Sequence, residues 1–179
     1  DKDPSYSYDH LTVIAKNNQG YSNLIKLVSR GNLEGFYYRP RIDKEILKEH
    51  SEGLIILSGC PSAELFKKIV SGDEKSIMNT INWYKDVFGD DYYLEIMRHE
   101  NVDNQEKVNQ WIINNYKELN VKIVATNDNH YETKDDYEKE ILLKNVRSGS
   151  SNPRSDILED NSYYLSLIHI SEPTRHHVI

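Results

Sequence analysis

The chain has 179 residues and a formal net charge of -7, with 22 Lys and Arg against 29 Asp and Glu. That acidity argues against a broad basic face for nucleic acid. No run approaches the ~20 apolar residues of a membrane span, and the single Cys60 excludes an internal disulfide framework. The mean hydropathy of -0.73 fits a soluble protein with one real core, and the lone cysteine fits a reducing, cytoplasmic setting.

Residues 1–7 form a polar lead-in without the apolar stretch of a secretory signal. They also lack Met, so we expect the sequence to begin inside a longer protein. His10-Leu-Thr-Val-Ile-Ala15 reads as a strand. Asn17-Asn18 precedes an amphipathic helix with Tyr21, Leu24, Ile25, Leu27 and Val28 as its apolar stripe, and Gly31 is expected to end it as a C′ residue. Glu34–Asp43 is a loop dense in aromatics with two arginines, and Asp43 is placed to cap a short helix over Lys44–Glu49.

Gly53-Leu-Ile-Ile-Leu-Ser-Gly-Cys60 reads as a second, buried strand ending in a tight turn. A helix over about Ser62–Val70 stops at Ser71-Gly72. Asp73 caps the next, whose core residues are Ile77, Ile81, Trp83, Tyr84, Val87 and Phe88. After the turn at Gly89-Asp-Asp91, Tyr92–Met97 is a third strand with Arg98-His99 at its end. Gln105–Leu119 is a helix directing Val108, Trp111, Ile112 and Tyr116 inward. Val121–Ala125 is a β-branched, apolar run, as a strand covered by helices on both faces must be. A charged helix from about Asp135 to Val146 follows. The alternation predicts an α/β fold of βαβ units with mainly parallel strands, part of a barrel or an open sheet.

The pattern continues through Tyr164 and then breaks. Leu165-Ser-Leu-Ile-His-Ile-Ser-Glu-Pro-Thr-Arg175 resembles the translated read-through of a sequencing-library adapter over all eleven residues. Residues 165–179 are therefore expected to be a disordered artefact, leaving 1–164 as the domain. This also sets aside the His176-His177 pair.

The chemistry concentrates at strand ends. Asp128 and His130 follow the fourth strand two residues apart, a spacing that sends both side chains the same way in extended chain. The alternative is a polar loop in which Asp128 caps the next helix. Cys60 ends the second strand and His99 the third, whereas His10 opens the first. Thiolate, imidazole and carboxylate suit Zn²⁺, and imidazole with carboxylate also suits Mn²⁺ or Fe²⁺. Donors from several strand ends could build a multi-metal centre that generates hydroxide and clamps a phosphoryl group.

Each candidate has a plainer reading. His10 could be a half-buried strand residue, Cys60 a small core hydrophobe, and His99 a surface residue beside Arg98. Arg39 and Arg41 could hold a phosphate or pair with Glu34 or Asp43. No Ser-His-Asp elbow, Walker A loop or GxGxxG turn occurs.

Four segments occur in the order found in one family: His10-Leu-x-x-x-Ala-Lys-Asn-x-x-Gly-Tyr-x-Asn-Leu24, Glu34-Gly-Phe-Tyr-Tyr-x-Pro-Arg-Ile-Asp43, Gly53-Leu-Ile-x-Leu-Ser-Gly-Cys60 and Ala125-Thr-Asn-Asp-x-His-Tyr131. They resemble the PHP domain of bacterial replicative DNA polymerase III alpha subunits, from about Tyr8 to Tyr164. The resemblance implies an incomplete, distorted seven-stranded (β/α) barrel around a metal cleft. By position, His10, Cys60, Asp128 and His130 match the family's metal ligands, and His99 matches a His near the cleft. The family's earlier ligands, an HxH motif, a further His or Asp-His and a Glu, have no counterpart in this sequence.

Two enzymatic expectations follow. The parent would be a DNA polymerase using Mg²⁺, dNTPs and a DNA primer-template together with other replicase subunits, its palm lying beyond Tyr164. The PHP module would be a metal-dependent phosphoesterase, 3′–5′ exonuclease-like. The alternatives are a stand-alone phosphatase of the histidinol-phosphatase type and a metal-free structural platform.

Overall fold

The structure, a computed structural model, describes residues 8–99, 102–148 and 163–165. The polar lead-in, and residues 166–179 of the segment assigned to adapter read-through, lie outside the described residues. The elements are β1 (Thr12–Ala15), α1 (Asn18–Leu33), α2 (Lys44–Glu49), β2 (Leu54–Leu57), α3 (Glu64–Ser71), α4 (Glu74–Phe88), β3 (Tyr92–Met97), α5 (Gln105–Leu119), β4 (Lys122–Thr126) and α6 (Tyr137–Ser148), an α/β protein as expected. None of the described helices is long and apolar enough to cross a membrane.

The sheet has the order β1-β2-β3-β4. β2 and β3 pair parallel, with Ile56 opposite Tyr92 and Leu57 opposite Tyr93. β1 departs from the expected parallel arrangement: it runs antiparallel to β2, with Thr12 opposite Leu57 and Ala15 opposite Leu54. The reason lies in the connection. Lys16 N–H donates to Gly53 O at 2.8 Å, so the excursion through α1 and α2 opens and closes at one end of the sheet. A parallel crossover must instead carry the chain back along the strand's length. Strand–helix alternation constrains what covers a sheet. It does not fix the end to which a long two-helix connection returns.

By contact the chain divides into two compact units, residues 1–96 with 107–124 and residues 97–106 with 125–179. The core of the first is mainly aliphatic, with the stacked rings of Tyr84, Phe88 and Tyr92 inside it. Leu54 and Ile56 of β2, Ile77 and Ile81 of α4, Leu94 of β3 and Ile112 of α5 are all essentially sealed from solvent. Asp43 and Asp73 cap α2 and α4 as anticipated, accepting from Ile46 N–H at 2.8 Å and Ser76 N–H at 3.1 Å.

The segment Asn17–Leu24 is a clamp on the start of β2. Asn17 caps α1, its Oδ1 accepting the Gly20 N–H at 2.9 Å. Buried Asn23 donates from Nδ2 to Glu52 O at 2.9 Å. A Cβ on Gly20 would lie 1.8 Å from Gly53 O, so only glycine permits this approach.

Two expectations for α1 are corrected. Gly31 does not end the helix, which continues to Leu33 with Glu34 as its C-cap. The glycine instead faces the following loop where it folds back: a Cβ there would sit 3.3 Å from Ile42 Cγ2 and 3.4 Å from Arg41 O, a tight contact. Of the apolar stripe, Leu27 is buried and Leu24 packs on the core, but Tyr21, Ile25 and Val28 are exposed. An apolar stripe predicts a covered face only where the neighbouring chain supplies a cover.

In the second unit, Thr133 begins the turn that leads into α6. Its N–H and hydroxyl both donate to Asp136 Oδ2, at 3.0 and 2.7 Å. Tyr131 bridges Tyr164 in parallel fashion, and Leu165 N–H donates to Tyr131 O at 3.0 Å.

Candidate functional site

Because β1 is antiparallel to β2, the residue that opens β1 and the residue that follows β2 lie at the same end of the sheet. This accounts for His10 being a candidate although it precedes its strand. His10 Nδ1 and Cys60 Sγ approach to 3.4 Å. His10 N–H donates to Ser62 O at 3.2 Å, and Ala63 N–H donates back to Cys60 O at 2.8 Å, so a tight turn holds the thiol against the imidazole. Gly59, with φ at +93°, makes the turn possible: a Cβ there would lie 2.7 Å from Ala63 Cβ and 3.2 Å from His10 O.

Rings extend from this pair. Tyr8 stacks on His10 with centroids 5.9 Å apart, and the Arg39 guanidinium lies 5.6 Å over the Tyr8 ring. Arg41 lies 5.0 Å over Tyr37. Of the acidic residues near these arginines, Glu34 pairs with Arg30 at 3.0 Å and Asp43 caps α2. Phe36 and Tyr38 of the same loop are exposed.

The second unit holds another pair. His130 Nε2 and Asp128 Oδ1 are 3.5 Å apart, each side chain about one-third exposed. The expected strand alternation is not what brings them together, since β4 ends at Thr126 and Asp128 has φ at +34°. Buried Asn127 fixes this turn, donating from Nδ2 to Asn129 Oδ1 at 2.9 Å and to Tyr164 O at 3.0 Å. His130 N–H donates to Tyr163 O at 2.8 Å. Asp128 does not cap the next helical turn, a role that Thr133 and Asp136 fill.

His99 is buried, against the reading that placed it on the surface, and its ring stacks on Tyr163 at 4.2 Å and 17°. Tyr163 meets His130 edge-on at 5.4 Å, so it separates two imidazoles. Sequence reasoning missed Tyr163, because a short Tyr-Tyr run carries no periodic signal. It also passed over Glu95, a lone carboxylate in an otherwise apolar strand.

Zn–S and Zn–N bonds of about 2.3 and 2.0 Å at a tetrahedral angle put sulfur and nitrogen roughly 3.5 Å apart, and N/O ligands slightly closer. Both pairs meet that spacing, and their donor types suit Zn²⁺, with Mn²⁺ and Fe²⁺ also compatible with the Asp–His pair. Among the described residues, no group of three or more His, Cys, Asp or Glu is arranged to hold a metal ion. The residues therefore fit a metal as two pairs, each within its own unit.

Residues 2–99 match the PHP domain family. The chain is 40% identical over 158 residues to the DNA polymerase III subunit alpha of Borreliella burgdorferi, covering 87% of this chain and 14% of that protein. It is 43% identical over 141 residues to the subunit alpha of Thermus aquaticus, covering 79% and 12%, and 43% identical over 127 residues to that of Deinococcus radiodurans, covering 71% and 9%. An alignment that takes in 87% of the chain necessarily includes Asp128 and His130. The chain spans about one-seventh or less of these relatives. With the family matched over more than half of its residues, the chain belongs to the PHP domain family.

Proposed function

We propose that this chain is part of the alpha subunit of a bacterial replicative DNA polymerase, and that its PHP module is a metal-dependent phosphoesterase acting on DNA 3′ ends. Similarity to alpha subunits from several bacteria across most of the chain supports the parentage. The parent would act in the cytoplasm, adding dNTPs to a primer-template with Mg²⁺ in domains outside this chain and with other replicase subunits as partners. The four strands would be an arc of the family's (β/α) barrel.

The observation that carries the metal reading is the His10–Cys60 contact. A thiol and an imidazole 50 positions apart in sequence are brought to ligand spacing by an antiparallel strand pair and a glycine-dependent turn. In this reading His10 and Cys60 are metal ligands in the first unit, and Asp128 and His130 are ligands in the second. A bound divalent cation would lower the pKa of a water and offset phosphate charge. The chain's own part is to orient the donors. Tyr163 fixes the ring of His130 by its edge contact, and Asn127 sets the turn that presents Asp128.

A second reading, a metal-free platform bracing the polymerase, is favoured by the lack of a three-donor group among the described residues. Metal analysis of the full chain separates the two. After gel filtration, the phosphoesterase reading expects retained Zn²⁺, Mn²⁺ or Fe²⁺ that falls in Cys60→Ser and in His130→Ala, together with EDTA-sensitive release of nucleotides from single-stranded DNA. Metal content at background in the wild type would replace it with the platform reading.

A further inference from the structure

Glu95 is a buried carboxylate, 5% exposed, in the middle of β3. Its Oε2 accepts the Gly59 N–H at 2.7 Å. Its own N–H donates to Ser58 Oγ at 2.8 Å, and Ser58 N–H donates to Tyr93 O at 2.9 Å. The β2–β3 register ends at Leu57 opposite Tyr93. Beyond it, Ser58 is held to β3 by its backbone N–H and its hydroxyl, and Gly59 by the Glu95 carboxylate.

Gly59 is the residue so gripped, and it directly precedes Cys60. It is hemmed on its other side by His10 O and Ala63 Cβ. The Gly59 N–H lies in a partly buried turn, where losing its acceptor is unfavourable, and a charged acceptor gives a shorter, stronger bond than a neutral one. The direction of the Gly59 peptide sets where the next Cα, and hence the thiol, lies.

We propose that Glu95 is a positioning residue for Cys60: through the Gly59 N–H, with Ser58 bracing it, it fixes the thiol at its 3.4 Å approach to His10. This rests on the reading of His10 and Cys60 as metal ligands. It adds a residue that would touch no metal and set one ligand's place, as hydrogen-bonded outer residues do at metal sites.

The test uses the full chain with Glu95→Gln, Glu95→Ala and Ser58→Ala. Two readouts are followed besides the melting temperature. One is Co²⁺ affinity from the thiolate-to-cobalt charge-transfer band, and the other is the alkylation rate of Cys60 by iodoacetamide in metal-free protein. Glu95→Gln, which keeps an acceptor, is expected to stay within about threefold of wild type on both. Glu95→Ala is expected to weaken Co²⁺ binding by about 10- to 100-fold and to change the alkylation rate. Ser58→Ala should do the same to a smaller degree, and it decides the matter if Glu95→Ala does not fold. Unchanged affinity and unchanged alkylation in the folded variants would overturn the proposal. If wild type gives no thiolate band, the ligand reading fails by itself, and alkylation alone then decides whether Glu95 positions the thiol.

Discussion

Asp128 has φ at +34°, a left-handed conformation that costs a non-glycine residue energy and persists only where its surroundings impose it. Asn127 is the bracing neighbour, its Nδ2 donating to Asn129 Oδ1 within the turn and to Tyr164 O outside it. Asparagine tolerates this backbone at least as well as aspartate. Asp128→Asn is therefore expected to leave the melting transition within about 0.5 kcal/mol of wild type while lowering metal content. Loss of stability with unchanged metal content would mark Asp128 as structural. The spacing of Asp128 and His130 pointed to a pair, but through strand alternation, whereas the pair is made by a turn after β4 has ended at Thr126. The burial of His99 was not legible, because the ring that covers it, Tyr163, comes from sequence more than sixty positions away.

Among the elements, the α1–β2 junction shows what the family motif between Asn17 and Leu24 does: it is a clamp, not a ligand set. Gly20→Ala drives a methyl group into Gly53 O and is expected to destabilise by upward of about 3 kcal/mol. At Gly72 a Cβ would meet nothing within 4 Å, so Gly72→Ala should cost only the strain of its φ of +75°. Equal losses at the two sites in urea unfolding would contradict this account.

Glu64 ties α2, α3 and α4 together, accepting from Lys44 at 2.9 Å and from Lys68 at 2.6 Å, with Lys68 also donating to Thr80 at 2.6 Å. Burial alone would raise its carboxyl, but the hydrogen bonds from Lys68 and Lys44 outweigh burial and hold it below the ordinary range. A folded pKa below the unfolded one gives stability that is present above the unfolded value and lost as pH falls through the folded one. Glu64→Gln should therefore cost about 1–3 kcal/mol near neutrality and flatten the acid limb of the stability profile. An unaltered acid limb would remove Glu64 from it. The caps at Asp43 and Asp73 were readable from sequence because capping is local. The Glu64 network was not, because it depends on how three helices meet.

At the scale of the whole chain, the alternation of strands and helices gave the α/β class and most element positions, yet it misdirected β1. Only the return of the α1–α2 connection to its starting end fixes that strand's direction. That direction lets His10 reach Cys60 in the turn beyond β2. The chain spans 14% of the Borreliella burgdorferi subunit, and in this reading polymerisation belongs to other parts of the parent. Primer extension by the 179-residue chain is accordingly expected to give no incorporation, and templated extension above background would refute that assignment of roles.

In the proposed function His10 and Cys60 act together on a metal. X-ray absorption at the zinc edge of the zinc-loaded chain tests this directly. A sulfur scatterer at about 2.3 Å with nitrogen at about 2.0 Å is predicted, the sulfur shell vanishing in Cys60→Ser and the nitrogen shell diminishing in His10→Ala. A wild-type spectrum containing only nitrogen and oxygen neighbours would contradict it.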